Sequence, residues 1–186
     1  MEISEFFLEL KPYSVALHAA SAIVGMGTAI ASDIMFSFYS RDKIFDEQEQ
    51  RVFEKLSKTI WIALIAIIVT GCAIFLSDPV AYGSSIKFLV KMSIVFALII
   101  NGIVLSRWIQ PHIARDGFLT SSTERIARRF AFACGAVSLT SWSLAFILGM
   151  LDTIPFSYLS ALFIYAGIIG VAICSALFIE WRSFER

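Results

Sequence analysis

The sequence has no surplus of charge: 15 Lys and Arg stand against 15 Asp and Glu, and no long basic run occurs. The phosphate electrostatics on which nucleic-acid binding depends are missing, so that class of partner is set aside. Cysteine is equally scarce. Cys72, Cys134 and Cys174 lie inside apolar runs with no CxxC or Cys/His spacing, which excludes a zinc motif and reads as three small buried hydrophobes. The five methionines are scattered, which argues against a copper relay. Ahead of the first apolar run stand Glu2, Glu5 and Glu9 with no basic segment, so that run is expected to stay in the chain and not to be cleaved as a secretory signal.

What the chain does have is apolar surface. Hydrophobic residues make up 58% and charged residues 16%, with a mean hydropathy of +0.79, a balance that water does not tolerate in a domain of this length. A helix needs about 20 apolar residues to cross a hydrocarbon core of about 30 Å. Five runs meet this: Val15–Tyr39, Thr59–Leu76, Ile86–Trp108, Phe130–Met150 and Phe156–Trp181. The expected fold is all-α, an integral membrane bundle of five transmembrane helices.

Turn chemistry separates the runs. Asp78-Pro79, Tyr82-Gly83-Ser84-Ser85 and Asp152-Thr153-Ile154-Pro155 predict two tight connections. The two longer connections carry helix-start signatures, Asp46 with Glu49 and Ser121 with Glu124, both at capping-box spacing. Residues 1–12 form an interfacial amphipathic segment: Glu2, Glu5 and Glu9 share one face, Ile3, Phe6, Phe7 and Leu10 the other, and Pro12 ends it. Residues 13–186 then form a single five-helix transmembrane domain.

Basic residues set the expected orientation. Arg41, Lys43, Arg51, Lys55 and Lys58 in one loop, Arg107, Arg115, Arg125, Arg128 and Arg129 in another, and Arg182 and Arg186 in the tail all fall on one side. Only Lys11, Lys87 and Lys91 fall on the other. The N-terminus is expected outside and the C-terminus in the cytoplasm, in a bacterial inner (plasma) membrane.

Ionisable residues inside a membrane helix cost at least about 2.5–3.5 kcal/mol on insertion scales, so each is a candidate for function. His18, Asp33 and Lys91 stand out, with Asn101 as a weaker polar case. The first and third helices run in the same direction, and His18 and Lys91 each lie about five residues into their runs, roughly 7 Å deep. They are expected to face each other. Ser21, Gly25, Ala29 and Ser32 share the His18 stripe, and small residues there let another helix or a flat cofactor approach the backbone.

A neutral imidazole at His18 suits a metal, above all haem iron, with Lys91 facing a propionate or a substrate. The plainer readings are a hydrogen-bonded packing histidine and a lysine that snorkels to the headgroups. Asp33 reads either as an ion pair with Arg107, Lys58 or His112, or as part of a proton path. His112, more than about 20 Å from His18 by helical rise, cannot be a second axial ligand within one chain. Asn101 and the hydroxyl run Ser138-Leu139-Thr140-Ser141-Trp142-Ser143 suit interhelical hydrogen bonds.

His18 in Ala16-Leu17-His18-Ala19-Ala20 and Lys91 in Lys87-Phe88-Leu89-Val90-Lys91-Met92, opening a helix that ends at Arg107-Trp108, give the region Tyr13 to Trp108 a familiar form. It resembles the HemJ-type protoporphyrinogen oxidase family and the wider group of small CopD-like membrane proteins. The resemblance implies a membrane-bound haem b protein with redox or haem-pathway work, including oxygen-linked porphyrinogen oxidation. By it, His18 is the haem ligand and the metal-binding residue and Lys91 the catalytic lysine; Gly25 on the small-residue stripe and Lys87 beside Lys91 are expected as flanking cofactor contacts. Its partners are then the lipid bilayer and either a membrane redox protein or a second copy. The rival class is a non-catalytic membrane protein without cofactor, an accessory subunit or small carrier. Against a carrier stand the lack of inverted repeats and of paired, broken helices.

Overall fold

The computed structural model describes residues 3–39, 46–113, 118, 121 and 123–184. Among these there are helices and no strands: α1 (Ile3–Tyr39), α2 (Glu47–Ser77), α3 (Pro79–Gly83), α4 (Ile86–Val104), a π-helical turn (Leu105–Ile109), α5 (Gln110–Ile113), α6 (Arg125–Met150) and α7 (Tyr158–Phe184). Five of these stretches are long and apolar enough to cross a membrane, and they coincide with the five apolar runs. The outer surface agrees with a lipid solvent. Phe163, Val171 and Ile62 are 76%, 69% and 68% exposed, and water would not tolerate so much apolar surface over a whole molecule.

α1 packs along α2, and α6 sits centrally against α1, α4 and α7. Ala29, Leu64, Ile67, Val90, Ile94, Leu98 and Trp142 form the buried core between them. α7 contributes least, since no residue in its most apolar stretch is buried.

The boundaries depart from expectation at three places. Pro12 does not end a separate segment: α1 runs through it over 37 residues, about 55 Å at helical rise, well beyond one hydrocarbon core. A proline in an apolar helix removes one hydrogen bond, and membrane helices tolerate that loss. The third run continues past Trp108 to Ile113. In a regular α-helix the Pro111 ring would press on the carbonyl of Arg107, and the π-helical turn over Leu105–Ile109 widens the spiral at that point. The Asp78-Pro79 turn is itself a short helix, with Asp78 Oδ1 accepting from Ala81 N and Pro79 at its first position.

The two capping signatures divide. Asp46 and Glu49 form the reciprocal box at the start of α2, with Glu49 N donating to Asp46 Oδ1 at 2.7 Å and Asp46 N to Glu49 Oε2 at 3.0 Å. Ser121 and Glu124 do not. Ser121 Oγ accepts from Thr123 N at 3.1 Å, the Glu124 carboxylate lies 2.7 Å from His112 Nδ1, and α6 starts at Arg125 without a side-chain cap. Arg41, Lys43, Arg115 and Arg186 lie outside the described residues.

Candidate functional site

His18 and Lys91 are brought towards one end of the bundle: a Cβ on Gly71, near the end of α2, would stand 3.6 Å from His18 Cε1, and one on Gly149, near the end of α6, 3.8 Å from Lys91 Nζ. His18 is half-buried against α2, where its Nδ1 is 3.0 Å from Thr70 Oγ1. The Thr70 hydroxyl also lies 2.6 Å from the Ala66 carbonyl of its own helix. With its proton on that carbonyl, Thr70 accepts from Nδ1–H, the tautomer of a neutral ring that carries its lone pair on Nε2.

The two lysines have a different neighbour. Lys87 Nζ donates to the Leu151 carbonyl, immediately after the end of α6, and the Lys91 ammonium lies 3.8 Å from where a Cβ would stand on Gly149. The last carbonyls of a helix lack intrahelical partners and carry its negative dipole end, so cations collect there without any ligand to explain them. Both lysines sit at the C-terminus of α6, and neither lines the large cavity of the bundle.

Gly25 is filled from within the protein. A Cβ there would stand 2.3 Å from Cη2 of Trp142, so the indole of α6 lies directly on the α1 backbone. Haem needs two things at this place, an imidazole lone pair and a slot for a flat macrocycle. The Nε2 lone pair meets the first. The second is not met as the helices are packed, because the approach at Gly25 is taken by Trp142 and both lysines face the end of α6. His18, Lys91, Lys87 and Gly25 do not together enclose a haem-sized space, and no step is routed through that group.

The large cavity lies elsewhere. It has a volume of about 430 Å³ and opens towards the far half of the bundle, between α1, α2, α4, α6 and α7. Asp33 of α1 is the ionisable side chain in its wall. About 22 Å of helical rise separates Asp33 from His18, which places the two towards opposite ends of α1. Among the described residues none of the expected partners, Arg107, Lys58 or His112, pairs with Asp33, which corrects the ion-pair reading; His112 is held by Glu124 instead. Trp142 also lines the cavity. It is 2% exposed, and its indole N–H is buried without an acceptor. Asn101, another wall residue, behaves as its sequence position suggests, donating to the Cys134 carbonyl of α6 at 3.1 Å.

One ionisable residue escaped the sequence reading. Glu180 of α7 is fully buried and accepts from Arg128 Nε at 2.7 Å, with Arg129 Nε at 3.4 Å from its other oxygen. The signal was available, since Glu180 interrupts the fifth apolar run, and the cost of a charge at such a place demands a partner. Comparison with family models, with curated proteins and with solved structures finds no match to this chain.

Proposed function

We propose that the chain is a small multipass membrane protein that binds a ligand inside its helical bundle without a resident cofactor, as an accessory or carrier component. The observation that carries this reading is the cavity of about 430 Å³ with an unpaired Asp33 in its wall. Ligand sites are concave, mostly apolar spaces of roughly 300–1,000 Å³ with a few polar groups to fix orientation, and this one meets each condition. Basic residues in the loops orient the N-terminus outwards and the C-terminus towards the cytoplasm of a bacterial inner membrane. His18 serves as an interhelical contact to Thr70, and Lys87 and Lys91 neutralise the end of α6.

Two measurements test this. In a chain whose three native cysteines are replaced by alanine, Ser138→Cys in the cavity wall is expected to react readily with N-ethylmaleimide, whereas Ile164→Cys on the lipid-facing side of α7 stays slow. Equal, slow reaction at both positions would remove the chamber from consideration. An absorption spectrum of the protein purified from haem-sufficient cells is expected to lack a Soret band. The haem reading keeps one favourable observation, that the side-chain contact of His18 to Thr70 is made by Nδ1 and not by Nε2. A stoichiometric b-type spectrum lost in His18→Ala would move the function to haem and the redox class.

A further inference from the structure

Building on the chamber proposed above, we infer that its ligand is an organic monocation, an amine or quaternary ammonium with an apolar or aromatic body, held by the Asp33 carboxylate. An unpaired carboxylate in the interior of a membrane bundle is costly, and a ligand cation supplies the charge that the protein withholds. The protein withholds it consistently. Among the described residues no Lys, Arg or His lines the cavity. Lys87 and Lys91 are committed to the end of α6, while Arg128 and Arg129 face Glu180.

The walls specify the rest of the ligand. Phe36, Phe53, Trp61, Phe132 and Trp142 put five aromatic rings around the space. Aromatic rings attract cations and also accept apolar bodies. A bare inorganic cation fits poorly, because hard ions take six or more oxygen ligands and the described residues hold no group of three or more His, Cys, Asp or Glu. Gly135 bears on the carboxylate itself: a Cβ there would stand 3.2 Å from Asp33 Oδ1, so a larger side chain at this position crowds the group without altering its charge.

The test uses two probe pairs on the intact protein in an uncharged detergent, read by equilibrium dialysis. Tetraphenylphosphonium is compared with tetraphenylborate, which has the same shape and the opposite charge. Benzyltrimethylammonium is compared with neopentylbenzene, which replaces nitrogen by carbon in a smaller frame. At least one cation is expected to bind saturably at one per chain, with its anionic or neutral counterpart at least tenfold weaker. Asp33→Asn and Gly135→Leu should each weaken the cation tenfold or more, and Asp33→Glu should retain most of it; monodisperse gel filtration shows that each variant is folded. Cation binding unchanged in a folded Asp33→Asn, or equal binding of both members of a pair, overturns the inference. So does failure of both cations while Ser138→Cys remains reactive, an outcome that removes the cation and keeps the chamber. A slow Ser138→Cys instead removes the chamber reading itself.

Discussion

Replacing Glu180 by glutamine removes the carboxylate that Arg128 faces while keeping the shape of the side chain. The pair is deeply enclosed, with side-chain exposures of 3% for Arg128 and 0% for Glu180. At the observed 2.7 Å, two unit charges attract by about 6 kcal/mol at an effective dielectric constant of ~20. Much of that attraction is offset by the cost of taking both ions out of water, so the net worth of the intact pair is small. Breaking it from one side is a different matter, because the guanidinium stays buried after its counter-charge has gone, and such losses run to about 3–5 kcal/mol. Arg129 contributes less. It is 45% exposed and 3.4 Å away, so solvent screening limits it to about 1 kcal/mol or below. The expected ranking in destabilisation is Glu180→Gln well above Arg129→Ala, with the double replacement Arg128→Met and Glu180→Leu close to wild type or above it. Reversible unfolding in mixed micelles, followed by circular dichroism, measures all three. A Glu180→Gln protein within 1 kcal/mol of wild type would refute the reasoning, as would a double variant less stable than the single one.

At Gly25 the expected effect is steric. Gly25→Ala places a Cβ 2.3 Å from the Trp142 ring and should cost about 1–3 kcal/mol, with Trp142→Phe in the same chain restoring much of the loss; a neutral Gly25→Ala in the same unfolding assay would contradict the packing. His18→Ala and Thr70→Val each delete one interhelical hydrogen bond, worth about 0.6 and at most about 1.7 kcal/mol in membrane proteins. The double variant should then be no less stable than the worse single one, and strictly additive losses would show that the two side chains act separately.

The five crossings were legible because lipid imposes a length and a composition that hardly any other environment selects. That His18 and Lys91 fall towards the same end of the bundle was legible for a related reason, since helix direction alternates and rise per residue is constant. Local chemistry was legible where nothing distant competed for it. Asp46 and Glu49 close their box within three residues, whereas Glu124, at the same spacing from Ser121, is taken by His112 from the preceding helix. The third crossing runs past its expected end at Trp108 to Ile113, because a π-helical turn lets it pass Pro111. Pro12, expected to end a segment, is likewise passed by α1.

Which faces meet was not legible, and the site depends on that. Small residues in a membrane helix read alike wherever they fall: each removes a side chain and leaves room for something else. In this bundle two of the openings are occupied by rings, Trp142 on Gly25 and Trp61 on Gly102, where a Cβ would stand 3.1 Å from the Trp61 ring. Trp61 is held there by its N–H, which donates to Ser106 Oγ at 3.0 Å. At Gly135 no ring fills the opening. The nearest atom to a Cβ there is an oxygen of Asp33, and the space beside it remains as the cavity. The stripe on α1 that suggested a cofactor slot at Gly25 borders the cavity only further along the helix, at Ala29 and Ser32. The position of the candidate site is decided by how the indoles of Trp61 and Trp142 pack, each closing one glycine opening while walling the cavity, and no periodicity within a single helix records that.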